Sequence, residues 1–454
     1  MSKIDIIRDN NAPIDDKMKI WLCAHPDDTR ACLDDICREL FDTRDCVVLY
    51  EGDPYGEYDR EELCRSLSQM NVFVVAVTQK FLDEENRARE VEFKFALENG
   101  IRILPILFDA DAEGKFNKLC GELHLLKRGA PNYLELLSKS VSIASVSESE
   151  LEKIRAEFVK RIFFSYRKKD VDSALELIRL IRKNEFCRDV AIWYDDYLVV
   201  GENFNDHIKS ALLKSDLFVL AITESITEKV QSESGKRVNN YVVEKEFPIA
   251  RSKGKRILPL RMANVSQKKL AVFGGLPPYV NARNEQALAE ALIRELGKDI
   301  LAPRKNGPQH DYYIGLAYLY GIDVEIDRAV AFSLIKRSAE RGYAPAMEKL
   351  TEMYRNGDGV GVDYSEALAW QRLLVEKYRT RLKEKGGKFL DYVHYFGVLS
   401  TLFDYLFEYG ATSEINQVCD DALVFANNLY AKAPGPLSRY YVAMIHFTDR
   451  KSVV

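Results

Sequence analysis

Two stretches of this chain run in step at a distance of 154 positions. Glu92-Phe93 is followed by Ala96, Gly100 and Arg102-Ile103-Leu104-Pro105. Glu246-Phe247 is followed by Ala250, Gly254 and Arg256-Ile257-Leu258-Pro259. A spacing kept through helix-like segment, glycine and apolar run marks a duplicated fold. The apolar runs say which kind. The second copy offers Arg161 to Phe164, Val190 to Trp193, Leu217 to Ile222 and Ile257 to Leu260. The first offers Ile20 to Leu22, Val47 to Tyr50, Val72 to Val77 and Ile103 to Ile106. Each run is short, rich in β-branched or aromatic residues, and bounded by polar ones, as buried parallel strands are. Ala174, Leu177, Ile178 and Ile181 are spaced for one face of a helix between two such strands. Strand alternating with helix predicts a parallel sheet covered on both faces. The offset between copies grows from 142 at Ile20/Ile162 to 154 at Glu92/Glu246. Most of the growth is assigned to a polar surface loop over Gln231 to Asn239.

Ligands of such sheets bind beyond the carboxyl ends of the strands. In the second copy that rule selects Ser165-Tyr166-Arg167, Asp195-Asp196 with the loop through Gly201, and the segment holding Glu246. Phe164-Ser165-Tyr166-Arg167, Gly201-Glu202-Asn203-Phe204 and Val242-Val243-Glu244-Lys245-Glu246, followed by Arg256-Ile257-Leu258-Pro259, resemble a TIR domain over about 100 residues. The likeness is to the NAD-cleaving branch, which carries Ser-Tyr-Arg after the first strand and a Trp-x-x-x-Glu helix. The resemblance implies a flavodoxin-like sheet and cleavage of the nicotinamide–ribose bond of NAD+, by hydrolysis or cyclisation. NAD+ is then a substrate, with no separate cofactor. It makes Glu246 the catalytic residue. Ser165, Tyr166, Arg167, Asp195, Asp196, Phe204 and Tyr241 are the expected NAD+-contacting residues. Two departures stand out. Val242 occupies the tryptophan position, with Tyr241 beside it as a substitute ring. Pro248 lies two residues after Glu246, which implies a helix that begins late or is kinked.

The first copy differs where the chemistry would sit. Cys23-Ala24-His25 replaces Ser165-Tyr166-Arg167, so arginine and ring are both missing while Glu92 persists. A glutamate without its partners does not make a site, so this copy is expected to be a degenerate TIR-like domain. Ala24-His25-Pro26-Asp27-Asp28 also matches the zinc loop of LmbE-type N-deacetylases. That chemistry needs three protein ligands. His124 and His207 stand in unrelated contexts, and position 29 is Thr, so no metal is expected. No cysteine pair has Cys-x-x-Cys spacing, and the cysteines are expected to be reduced core thiols of a cytoplasmic protein.

The expected organisation is α/β followed by all-α. Residues 1–137 form the degenerate TIR-like domain, 138–157 a Ser-rich linker and charged helix, 158–302 the catalytic TIR domain, and 303–454 helical repeats. Six serines between Ser138 and Ser149 suggest a flexible joint. From Tyr312 a period appears. Tyr318-x-x-Gly321 recurs as Tyr354-x-x-Gly357, Asp327 as Asp363 and Ala331 as Ala367, all at a shift of 36. Such a period means stacked helix pairs, and Gly357-Asp358-Gly359-Val360 resembles a Sel-like repeat, a relative of the tetratricopeptide repeat.

A net charge of -5 over 454 residues offers no footprint for nucleic acid. No apolar run approaches the roughly 20 residues of a membrane helix, and the polar N-terminus is unlike a signal peptide. The resemblance further implies assembly into a homo-oligomer, a trigger or protein partner read by the repeats, and a role in bacterial anti-phage defence. The competing expectation is a non-catalytic TIR scaffold built for protein–protein interaction.

Overall fold

The computed structural model describes residues 4–8, 18–43, 46–57, 59–99, 101–120, 125–130, 133–144, 146–194, 204–231, 236–301, 307–385, 389–409, 414–432 and 435. The chain divides into two compact units, Met1–Arg304 with Tyr320–Glu325, and Lys305–Leu319 with Ile326–Val454.

The first unit holds two sheets of one design. In the first module the strands are β1 (Ile4–Arg8), β2 (Met18–Cys23), β3 (Cys46–Glu51), β4 (Val72–Val77), β5 (Ile103–Leu107) and β6 (Leu126–Lys127). They lie in the order β1-β3-β2-β4-β5-β6. Only β1 runs antiparallel, along β3. In the second module β7 (Lys160–Ser165), β8 (Val190–Trp193), β9 (Leu217–Ile222), β12 (Arg256–Arg261) and β13 (Val280–Asn281) lie in the order β13-β12-β9-β7-β8, all parallel. Leaving β1 aside, both sheets follow the order 2-1-3-4-5 of the doubly wound flavodoxin-like sheets.

The likeness extends to single hydrogen bonds. Asn71 N–H donates to Lys19 O and Asp216 N–H to Arg161 O, each binding the third strand's start to the first. Phe108 and Asp109 amides both donate to Val77 O, and Met262 and Ala263 amides both donate to Ile222 O. Arg102 Nη1 reaches Ile143 O at 2.8 Å, and Arg256 Nη1 reaches Glu295 O at 2.6 Å, each tying a strand start to the last helix of its module.

The central strands are apolar throughout because both faces are covered. β4 and β9 are buried at every position. The predicted helical face Ala174, Leu177, Ile178 and Ile181 is buried in the helix Val171–Arg182, and stacks on the same core as Phe163 and Phe218.

Three expectations change. The Ser-rich stretch is not a loose joint. Helix Tyr133–Ala144 runs through its first half and buries Tyr133, Leu137 and Val141 in the first module's core. The boundary drawn at 137 therefore falls inside a helix. A second helix, Glu148–Ala156, follows with Ser147 as its N-cap. The Gln231–Asn239 stretch, read as a loop, carries part of a short hairpin, β10 (Val230–Gln231) on β11 (Arg237–Val238).

The second unit, taken by itself, is built of helices Pro308–Tyr320, Arg328–Glu340, Ala344–Asn356, Tyr364–Lys385, Phe389–Glu408 and Ile415–Lys432. The 36-residue period is visible in its bonds. Asp327 caps its helix through Val330 N–H, and Asp363 through Glu366 N–H. Asp327 N–H donates to Tyr318 O and Asp363 N–H to Tyr354 O. Gly359 has φ +75°, and a Cβ there would stand 2.0 Å from Arg328 O, so no side chain fits. Asp311 is buried and held by Arg337 and Arg341.

Candidate functional site

Glu246 ends a π-helical turn, Val242–Glu246, that runs directly into the helix Phe247–Ser252. Pro248 lies in the first turn of that helix, where its missing N–H costs nothing. The first module makes the same π turn with Lys94 where Pro248 stands, so the turn belongs to the fold and not to the proline. Glu246 is only 7% exposed. Its Oε2 accepts a hydrogen bond from the hydroxyl of Ser165, the last residue of β7, itself 1% exposed. Two groups 81 positions apart in sequence thus meet at the carboxyl end of the first strand. π-turns of this kind recur at functional sites.

The other expected residues divide. Tyr166 is 5% exposed, with its ring packed against Phe164 and Tyr194 at 6.0 and 6.2 Å. It covers the end of the sheet. Arg167 is half-buried, and its Nε is buried without a hydrogen-bond partner among the described residues. Its carbonyl accepts from Asp170 N–H at 2.7 Å, fixing the turn that presents it. Tyr241 opens the π turn and packs partly buried on the module's core. Val242, in the tryptophan position, is buried in that core. Asp195 and Asp196 lie outside the described residues. Phe204 begins the helix Phe204–Lys214, and its side chain is likewise outside what is described.

The first module repeats the corner with other chemistry. Glu92 lies in the π-helical turn Ala88–Phe93. It too is buried and faces the end of the first strand. There Trp21 Nε1–H donates to Glu92 Oε2 at 2.7 Å, and Cys23, at the register of Ser165, lies beside Glu92 while its thiol donates to Ala88 O at 3.3 Å. Burial pushes the Glu92 carboxyl up to about 7, with the nearby Glu51 carboxylate adding to the rise. The Trp21 bond and the Arg87 charge pull against it. Cys23 is raised far above an ordinary thiol by burial and then by Glu92. Glu51, at the end of β3, is buried with neither carboxylate oxygen hydrogen-bonded among the described residues. Burial raises its pKa, and Arg87 lowers it. Neither Trp21 nor Glu51 was singled out from sequence. Trp21 is separated from Glu92 by 71 positions, and nothing local signals the pair.

His25, Asp27 and Glu84 also converge in the first module, close enough to share an ion. His25 Nδ1 accepts from Asp27 N–H at 3.3 Å, which places its proton on Nε2, facing Glu84 at 3.5 Å. A metal-bound histidine donates its other ring N–H outward, and here that nitrogen already meets a donor. Lys80 stands 3.6 Å from Asp27 and 3.7 Å from Asp28. The trio reads as an internally paired network. Among the described residues no cysteine forms a disulfide, and no helix is long and apolar enough to cross a membrane.

Comparison with known proteins bears on the second module. The TIR domain family matches residues 162–296, from β7 to the helix Glu285–Leu296. No curated protein matches. Among solved structures, a Sel1 repeat protein from Oxalobacter formigenes is 21% identical, with 35% of this chain and 64% of that one covered and a TM-score of 0.17. This chain thus spans less than two thirds of that protein's length. An uncharacterised protein from Capnocytophaga ochracea DSM 7271 is 10% identical, with 88% and 96% covered and a TM-score of 0.18. At those TM-scores neither likeness bears on how this chain is arranged.

Proposed function

We propose that the TIR domain at residues 162–296 releases nicotinamide from NAD+, with Glu246 as the catalytic carboxylate. The observation that carries this reading is the buried Ser165–Glu246 contact at the carboxyl end of the first strand. Cleavage of the nicotinamide–ribose bond passes through an oxocarbenium-like state, as glycoside cleavage does. Nicotinamide leaves as a neutral ring from a cationic nitrogen, so no general acid is needed. The protein's task is to hold a carboxylate where positive charge develops on the ribose. Arg167, four residues before the start of the helix Val171–Arg182 and with its Nε unengaged among the described residues, suits ribose or phosphate oxygens. The first module, on this reading, is a degenerate TIR domain that pairs or senses. Assembly of copies, prompted by a partner on the helical repeats, switches on the second. The product is ADP-ribose or its cyclised form, and the setting is bacterial antiviral defence, both by family resemblance.

A second reading has one observation in its favour. Val242 and Tyr166 are both core residues, so neither supplies a ring to stack on nicotinamide. A TIR domain without that ring serves as a non-catalytic scaffold. Incubating the full chain with NAD+ and following nicotinamide separates the two. Release by wild type and none by Glu246→Ala supports the enzyme. Equal release by both removes Glu246 from the chemistry, and no release from either, at high protein concentration, leaves the scaffold.

A further inference from the structure

Ser165 was expected to touch NAD+, and its surroundings assign it another task. We infer that Ser165 is a positioning residue: its hydroxyl fixes the plane of the Glu246 carboxylate from the end of β7 and makes no contact with substrate of its own. This rests on Glu246 being the catalytic carboxylate.

Three observations carry it. Ser165 is almost fully enclosed, and its hydroxyl is spent on Glu246 Oε2. A serine so placed has no second donor to offer a ligand. Next, the corner is a property of the fold. The first module sets Cys23 beside Glu92 at the same strand end and the same π turn, although there the thiol donates to Ala88 O at 3.3 Å. Last, the first strand has one more inward position at that corner. The first module fills it with Trp21, whose indole also holds Glu92. The second fills it with Phe163, stacked on Trp193 and Phe218 at 4.8 and 5.6 Å, and phenylalanine has no donor. Within the first strand of the second module, the task of aiming the glutamate therefore falls to Ser165.

The physical consequence is specific. A carboxylate that stabilises developing charge must already be aimed when the substrate arrives, because reorganising it during the reaction consumes the benefit. Loosening it penalises the transition state and leaves ground-state binding in place. In the full chain, Ser165→Ala should lower kcat for nicotinamide release by about tenfold to hundredfold while KM for NAD+ stays within about twofold. Ser165→Thr, which keeps the hydroxyl, should recover part of the loss. A KM that rises at unchanged kcat, or a Ser165→Ala enzyme equal to wild type, overturns the inference. A second measurement stands apart from turnover. With glutamate carboxyl carbons labelled by 13C, the Glu246 signal is identified by its loss in Glu246→Gln. It should move in Ser165→Ala and return toward its place in Ser165→Thr. Should wild type release no nicotinamide, the enzyme reading falls, and the 13C signal alone decides: movement keeps Ser165 as the group that orients Glu246, and an unmoved signal overturns it.

Discussion

Glu92 and Glu246 occupy the same corner of two sheets with the same strand order, each in a π-helical turn and each nearly buried. Their neighbours make them different groups. Glu246 meets a serine hydroxyl, with Arg167 presented by the turn two residues on. Glu92 meets an indole, with the Cys23 thiol beside it and a second buried carboxyl, Glu51, close enough to raise it. The position of Arg167 is held in the first module by His25, which is turned to Glu84. A carboxyl with a pKa near 7 is half neutral at neutral pH and so half useful against a developing cation. The shared strand order sets a glutamate at the same corner of both modules. On the proposed reading, the strand-end residues around it decide whether it can act.

The comparison breaks most easily on activity. Glu246→Ala should cut nicotinamide release by about 100- to 1000-fold, and Glu92→Gln should leave it within about twofold. Equal losses would mean that both corners work, or that neither does and the fold alone was damaged. A smaller effect concerns stability. Glu92 titrates near 4.5 in the unfolded chain and about 7 in the folded one. The native state therefore holds this proton more tightly, and stability falls as pH rises through that window. Glu92→Gln keeps an acceptor for Trp21 without the charge. It should match wild type below about pH 4.5 and exceed it above about pH 7 by on the order of 2–3 kcal/mol, read from chemical denaturation at the two ends. A gap that stays constant with pH would show Glu92 to be an ordinary carboxylate. Trp21→Phe copies the second module's residue into the first. It leaves the buried Glu92 without its indole donor and should cost roughly 1–2 kcal/mol at neutral pH. A neutral result would mean that the indole bond adds nothing net to stability.

Much of this was legible in the residues, for reasons that also mark the limits. All eight predicted strands are present because buried parallel strands are continuous apolar runs, which sequence displays directly. β6 and β13, each of two residues, are too short to leave a pattern, and β1 pairs antiparallel at an edge outside the repeated unit. The helix over Tyr133 to Ala144 was hidden by its serines, although Tyr133, Leu137 and Val141 recur every fourth position and fill its buried face. At the site, the shared spacing located Glu246 and Glu92, and Pro248 announced a disturbed helix. The π turn itself left no local signal, since one additional residue in a turn changes no residue type. Cross-strand partners such as Trp21 with Glu92 join positions that only the folded register brings together.

The smallest predicted effect tests whether the modules share more than their strands. Asp170 Oδ2 accepts from Ser225 N–H at 3.2 Å and from its hydroxyl at 2.7 Å. Asp28, at the same register, accepts from Thr78 Oγ1 at 2.8 Å. Each carboxylate ties the loop after its module's first strand to the loop after the third. Both are partly exposed, so Asp170→Ala and Asp28→Ala should each cost only about 1 kcal/mol in denaturant unfolding. Function should separate them. Asp170 lies in the turn that its own N–H closes on Arg167 O, so losing the carboxylate's tie to Ser225 slackens the segment that presents the arginine and should raise KM for NAD+ a fewfold. Asp28→Ala slackens a loop whose histidine is already paired with Glu84 and should leave KM where it was. If Asp28→Ala alone raised KM, NAD+ would be reading the first module, and the division of labour between the two glutamate corners would have to be reversed.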